Sequence, residues 1–321
     1  MPASPGHQRT LLAEVARAFY LHDLPKTKIG EAFGISRFQV ARLLDQARAT
    51  GVVTIEIHDS RADAHGSETD LASLLGVDSV KVIELADTSA EQRIEQFGAA
   101  VLTVAVQTIR PHTTVGLAWS RTLDLIAPSM PALPPCHLVQ LTGAVETAGG
   151  SLFARILTQL DRQGGARTFP LHAPLVVDRR ETADDLRRQP VVAETLAMAD
   201  ALDLAVVAIG GWTAGESAVY ENIPSALRAQ CAAAGVISEF SGILLNGEGH
   251  AVPTPLDGRV MAIRLPQLRA AKQVIGFAHG AGRAAAVRAA ARSRTFTDLI
   301  IDRSLASALL AANDIPTHAD P

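Results

Sequence analysis

Arg37, Gln39 and Arg42 stand close together in the stretch IGEAFGISRFQVARLLDQAR, residues 29–48. An arginine can bond guanine O6 and N7, and a glutamine can bond adenine N6 and N7. Near the start of one exposed helix these side chains suit the major groove of DNA. Ser36 can cap that helix, its hydroxyl accepting an unpaired N–H of the first turn. Phe38 either meets a thymine methyl or packs inward. The candidate DNA contacts are therefore Ser36, Arg37, Phe38, Gln39 and Arg42. The competing reading is a helical hairpin with a solvated charged face.

A second set of candidates follows four apolar runs. These are Gly116-Leu-Ala-Trp-Ser-Arg-Thr122, Leu141-Thr-Gly-Ala144, Ile209-Gly-Gly-Trp212 and His279-Gly-Ala-Gly-Arg283. Where a strand runs into a helix start, backbone N–H groups and the hydroxyls of Ser120 and Thr122 suit an anion such as phosphate. Arg283 adds a cation on the first turn of a later helix. Small residues at a strand end are often only a turn. Four such ends in one domain point to a small-molecule cleft. The residues expected to line it are Trp119, Ser120, Arg121, Thr122, Gly143, Gly210, Gly211 and Arg283.

The elements that must position these groups can be read from periodicity. Ile29, Ala32 and Phe33 mark the apolar face of a short helix, and Gly34 breaks it with positive φ. Ile35 plugs the turn, and Val40, Leu43 and Leu44 face inward from the next helix. Before them, Gln8–Leu21 carries Leu12, Val15, Ala16 and Phe19 on one face. Val52–Ile57 alternates apolar and polar residues, so it is expected as a strand or half of a wing. Residues 59–70 are polar and serve as the linker candidate.

Beyond Leu71, apolar β-type runs alternate with Ala-rich helical runs. Strands are expected at Val80–Leu85, Thr114–Ala118, His137–Leu141, Leu204–Ile209, Val260–Leu265, Val274–Ala278 and Leu299–Asp302. Helices are expected near 91–110, 150–163, 184–201, 222–234, 282–292 and 303–313. Continuous apolar strands separated by helices imply a mostly parallel sheet covered on both faces. The expected organisation is a DNA-binding head at 1–58, a linker at 59–70 and an effector domain at 71–321.

Composition agrees with a globular chain. Of 321 residues, 48% are hydrophobic and 19% charged. No run reaches the length of a membrane span, and MPASPGHQRT lacks the apolar core of a secretory signal. Cys136 and Cys231 are too few for a disulfide framework and fit a reducing cytoplasm. Residues 1–58 hold seven Lys and Arg against five Asp and Glu, a balance of +2, while the remainder carries −6. So weakly basic a head predicts several heads acting together, as in a dimer of dimers.

In order along the chain, these motifs resemble the SorC family of sugar-binding bacterial transcription regulators, grouped with DeoR-like sugar regulators. The resemblance rests on IGEAFGISRFQVARLLDQARATGVVTIEI, VGLAWSRTL, AIGG, GVISEFSGILLNGEG and VIGFAHGAGRAAAVRAAARSRTFTDLIID. It implies a winged-helix-like head on a Rossmann-like α/β effector domain similar to sugar-phosphate isomerases and deaminases. Operator DNA, a sugar or phosphorylated sugar and a homotetramer are the implied partners. No cofactor, metal or membrane is implied. The resemblance adds Glu239 to the effector candidates, where the family has Asp, and Ser238 stands in place of Gly. Ser120 replaces a Gly and Arg283 a Lys. Arg121 occupies the place of a Lys that forms a Schiff base in some relatives, which a guanidinium cannot do.

An isomerase- or deaminase-like enzyme is the alternative, because fold does not fix function. Asp200, Asp203, Glu239, His250 and His279 could supply acid–base groups, yet no pair has diagnostic spacing. His172 reads as structural or solvated, and Glu181, Asp184 and Asp185 as a solvated helix start. A sugar-binding module whose head contacts protein is a third reading.

Overall fold

The computed structural model describes residues 5–20, 24–49, 52–53, 68–145, 155–156, 159 and 165–311. The chain divides into two compact units, Met1–Ser60 and Arg61–Pro321.

The first unit contains helices α1 (Pro5–Tyr20), α2 (Lys26–Phe33) and α3 (Arg37–Ala49). Leu12, Val15, Ala16, Ile29, Val40, Leu44 and Ala47 form its core. Gly34 ends α2 at φ 65°, the left-handed geometry the break requires. The apolar face of α2 differs from the expectation. Ile29 and Gly30 are buried, Phe33 is half-buried and Ala32 is exposed. Gly30 explains the shift, because a Cβ there would lie 2.5 Å from the Ile35 carbonyl. The turn packs on α2 at the glycine, not at the alanine. Val52 and Val53 both donate to the Ala47 carbonyl and close the end of α3 rather than opening a strand. Residues 54–57 of the expected wing lie outside the described residues.

The second unit is built on a seven-stranded, wholly parallel sheet. Its elements are α4 (Glu68–Leu75), β1 (Ser79–Ile83), α5 (Ala90–Thr108), β2 (Thr114–Leu117), α6 (Arg121–Ile126), β3 (Cys136–Gln140), β4 (Ala166–Phe169), α7 (Arg180–Arg188), α8 (Pro190–Met198) and β5 (Leu204–Ala208). There follow β6 (Gly210–Gly211), α9 (Ala218–Glu221), α10 (Ser225–Ala233), β7 (Ser238–Phe240), β8 (Ile243–Leu245), α11 (Leu265–Ala270), β9 (Gln273–Ala278), α12 (Ala284–Arg292), β10 (Asp298–Asp302) and α13 (Arg303–Ala311). The strand order is β1-β10-β9-β5-β2-β3-β4, and β6, β7 and β8 form a small antiparallel sheet.

Strand alternation divides the interior into two layers. Ala205 and Val207 of β5 join Val287, Ala290 and Leu305 of α12 and α13 on one face. Leu204 and Val206 join Phe97 and Val101 of α5 and Leu123 of α6 on the other. Both faces are covered, as uninterrupted apolar strands demand.

Several expected boundaries move for local reasons. Helix α4 begins at Glu68, inside the stretch read as linker, and Leu71, Ala72 and Leu75 anchor it in the core. Pro190, which lacks an N–H, splits the expected helix 184–201 into α7 and α8. Val260–Leu265 is not a strand. It makes the isolated bridges Thr142↔Ala262 and Val176↔Val260. Most of the expected helix 150–163 lies outside the described residues.

The topology creates one crevice. From β2 the chain moves to β3 and β4 on one side, while β5 lies on the other side of β2 and leads toward β9 and β10. Loops leaving the carboxyl ends of β2 and β5 therefore diverge, which is where open α/β sheets bind ligands.

Candidate functional site

That crevice is a cavity of about 130 Å³. Its lining includes Trp119, Ser120, Arg121 and Thr122 after β2, and Ala208, Ile209 and Gly210 at the end of β5. Glu216, Ser217, Glu239, Ser241, His279 and Arg283 complete its polar side.

The loop after β2 is held at both ends. Trp119 N–H donates to Thr142 Oγ1 at 3.2 Å, and Ser120 Oγ accepts from Leu123 N–H at 3.0 Å. Ser120, where the resembled family has Gly, thus caps α6. Arg121 is exposed, and its Nη1 donates to the Gly215 carbonyl at 3.3 Å.

Glu239 is buried on β7. Ser217 Oγ–H donates to its Oε2 at 2.8 Å, and Gly242 N–H donates to its Oε1 at 2.7 Å. Burial raises its carboxyl above the usual range, against the opposing donors from Gly242, Ser217 and Ala218. It ties β7 to the loop before α9. The neighbouring Ser241 has φ 49°, and its buried hydroxyl lacks a hydrogen-bond partner among the described residues, as does Trp119 Nε1.

On the β9 side, His279 packs against Phe97 with ring centroids 5.3 Å apart. Burial lowers the imidazole's affinity for a proton, and the Arg283 charge lowers it further. The Arg283 guanidinium donates to the His279 carbonyl and faces Glu216 Oε1 at 3.8 Å. Asp302 fixes this loop by accepting from Gly280 N–H at 2.8 Å.

Of the nine effector candidates, the cavity brings together Trp119, Ser120, Arg121, Thr122, Gly210, Glu239 and Arg283. Gly143 and Gly211 are not on its wall. A Cβ at Gly143 would meet the Pro174 carbonyl at 2.4 Å, so that glycine serves a backbone crossing. At Gly211 a Cβ would meet Glu216 Oε2 at 2.2 Å. The glycine pair makes room for the loop carrying Glu216. Sequence reasoning missed Glu216 itself, although Gly210-Gly211 was the trace it left. Among the acid–base candidates, Asp203 pairs with Lys272 at 2.7 Å beside the amino end of β2, and Asp200 accepts from Gln267. His250 is exposed, leaving Glu239 and His279 in the cavity. No three His, Cys, Asp or Glu side chains group as a metal site among the described residues.

On the first unit, Ser36 and Gln39 form a reciprocal cap. Gln39 N–H donates to Ser36 Oγ at 3.2 Å, and Ser36 N–H donates to Gln39 Oε1 at 2.8 Å. Phe38 is 72% exposed, which settles its direction as outward. The Arg37 guanidinium lies 4.7 Å from its ring centre, and Arg42 is also exposed.

Together these features define an α/β ligand-binding unit carried on a chain with a trihelical, helix-turn-helix head. Residues 62–311 match the Sugar-bind family, described as "Putative sugar-binding domain". The chain belongs to that family. It is 26% identical over 309 residues to the transcriptional regulator LsrR of Enterobacter sp. (strain 638), covering 95% of this chain and 94% of that one. It is 22% identical over 310 residues to the sorbitol operon regulator of Klebsiella pneumoniae, covering 94% and 97%. The crystal structure of full-length SorC from Klebsiella pneumoniae shares the fold, with TM-score 0.68 at 20% identity over 95% of this chain and 99% of that chain.

Proposed function

We propose that this chain is a cytoplasmic DNA-binding transcriptional regulator of carbohydrate metabolism. A sugar, polyol or sugar phosphate in the crevice controls its hold on operator DNA. The observation that carries this reading is the likeness to a transcriptional regulator over 95% of the chain, both units included. Arg37, Phe38 and Arg42 present base- and phosphate-contacting chemistry on α3, while Ser36 and Gln39 set the start of that helix. The head's +2 balance suits binding as a homotetramer, in which several heads share one site.

The crevice binds rather than catalyses. Both Glu239 oxygens are engaged internally, by Ser217 and Gly242, and so are committed to holding the loop. The test combines a gel shift of the full-length protein on fragments of its source genome with a thermal-shift screen of sugars, polyols and their phosphates. An isomerase assay accompanies them. The expected result is a retarded band, a ligand that raises Tm, and no turnover. A ligand at a hundred times its Kd stabilises by ~2.7 kcal/mol. Turnover without DNA binding would overturn the proposal in favour of the enzyme.

A further inference from the structure

Glu216 has a placement that the binding of a carbohydrate does not by itself explain. It lies on the loop between β6 and α9, which touches both sides of the crevice. Gly215 carbonyl accepts from Arg121 on the β2 side, and the Glu216 carboxylate faces Arg283 on the β9 side. The base of the loop is fixed, with Gly215 N–H donating to Glu221 Oε1 at 2.6 Å. Thr213 Oγ1 donates to Glu216 Oε2 at 3.0 Å.

The 3.8 Å separation between Arg283 Nη2 and Glu216 Oε1 is an ion pair beyond hydrogen-bond length. Both side chains are largely sheltered, at 16% and 23% exposure, so their attraction is less screened than that of a surface pair. Meanwhile Arg283 gives its other amino group to the His279 carbonyl, which fixes the guanidinium with Nη2 toward the carboxylate. The arrangement is an arginine whose anion is present but not clasped. Across the same crevice stands a second arginine, and a buried serine hydroxyl lies on its wall without a hydrogen-bond partner among the described residues.

We propose that Glu216 is an intramolecular competitor for the anionic group of the effector, holding Arg283 until a phosphate monoester displaces it. This rests on the reading of the crevice as the effector site. A phosphate offers Arg283 two oxygens at hydrogen-bond length in place of one distant carboxylate oxygen. With Glu216 displaced, Arg121 and Arg283 present two cations, which match a dianion better than a carboxylate. An uncharged polyol leaves the ion pair in place. Glu216 therefore sets the threshold separating phosphorylated from unphosphorylated ligands.

The test titrates inorganic phosphate, acetate and an uncharged hexitol into the full-length protein by calorimetry at low ionic strength. Wild type, Glu216→Gln, Thr213→Val and Glu216→Gln/Arg283→Gln are compared. Phosphate should bind Glu216→Gln about tenfold tighter than wild type, within the usual range of coupling between groups. Thr213→Val, which removes the hydroxyl that holds the Glu216 carboxylate facing Arg283, should move affinity the same way by less and serves if Glu216→Gln fails to fold. Adding Arg283→Gln should abolish the gain. Equal or weaker phosphate binding in both single variants would overturn the proposal. So would a gain retained without Arg283, tighter binding of acetate than phosphate, or no saturable phosphate binding. A gel shift on the same preparations separates this failure from failure of the regulator reading, which would appear as lost DNA binding in wild type.

Discussion

Arg37 and Arg42 are exposed on α3, so their loss should spare the core of the first unit. Arg37→Ala and Arg42→Ala are each expected to weaken operator binding. A lost base contact costs ~1–3 kcal/mol and relaxes specificity at one base pair, whereas a lost phosphate contact lowers affinity for all sequences. Footprinting on variant sites distinguishes the two, and unchanged affinity in both variants would remove α3 from the interface. Gln39 shows where a residue-type argument stops. Its side chain type suits adenine, but its Oε1 is committed to the Ser36 cap. Glu239 gives a second expectation at this scale. Burial raises its folded-state pKa above 4.5, so its contribution to stability is full below that value and falls as pH rises through the raised one. Glu239→Gln cannot titrate there. The Tm difference between variant and wild type should therefore shift in the variant's favour as pH increases from 4.5, whatever its sign at the start. A pH-independent difference would contradict the burial argument.

At the scale of elements, glycines carry testable constraints. Gly30→Ala would drive a methyl group into the Ile35 carbonyl, and Gly143→Ala into the Pro174 carbonyl, with backbone on the receiving side in both cases. Each is expected to cost ~1–3 kcal/mol in chemical denaturation, the range for overpacking. Gly34→Ala has open space but φ 65°, so its cost of ~1–2 kcal/mol comes from the left-handed backbone. These positions also show what was legible. Gly34, the Ser36 cap and six of the seven expected apolar strands announce themselves through local chemistry, and the structure has them close to where they were read. Ala32 and Gly30 exchange roles because a tertiary contact across the turn decides burial. Val260–Leu265 has a strand's composition but pairs only through single bridges, since its neighbours are loops. The short β4, ARTF, has no apolar run to reveal it and is defined by pairing with β3. Most of the crevice was readable because loops at strand ends are marked by small residues. Glu216 was not, because its importance depends on an arginine 67 positions later, at Arg283.

For the whole molecule, the proposed tetramer is expected to assemble through the Ala-rich helices of the second unit, because the weakly basic head needs several copies on one site. Light scattering is expected to give a tetramer at micromolar concentration, and a monomer with and without ligand would refute the shared-site argument. Linkage supplies a more stringent requirement. If the carbohydrate controls the DNA, its binding and the DNA's binding must alter one another by the same factor. The decisive measurement is fluorescence anisotropy of the full-length protein on a selected genomic fragment, titrated with the ligand found by thermal shift. Saturating ligand should change DNA affinity about five- to 150-fold. With a phosphorylated ligand that change should be lost in Arg283→Ala at the same ligand concentration, while ligand-free DNA affinity persists. DNA affinity that stays constant as the wild-type crevice fills would contradict the account.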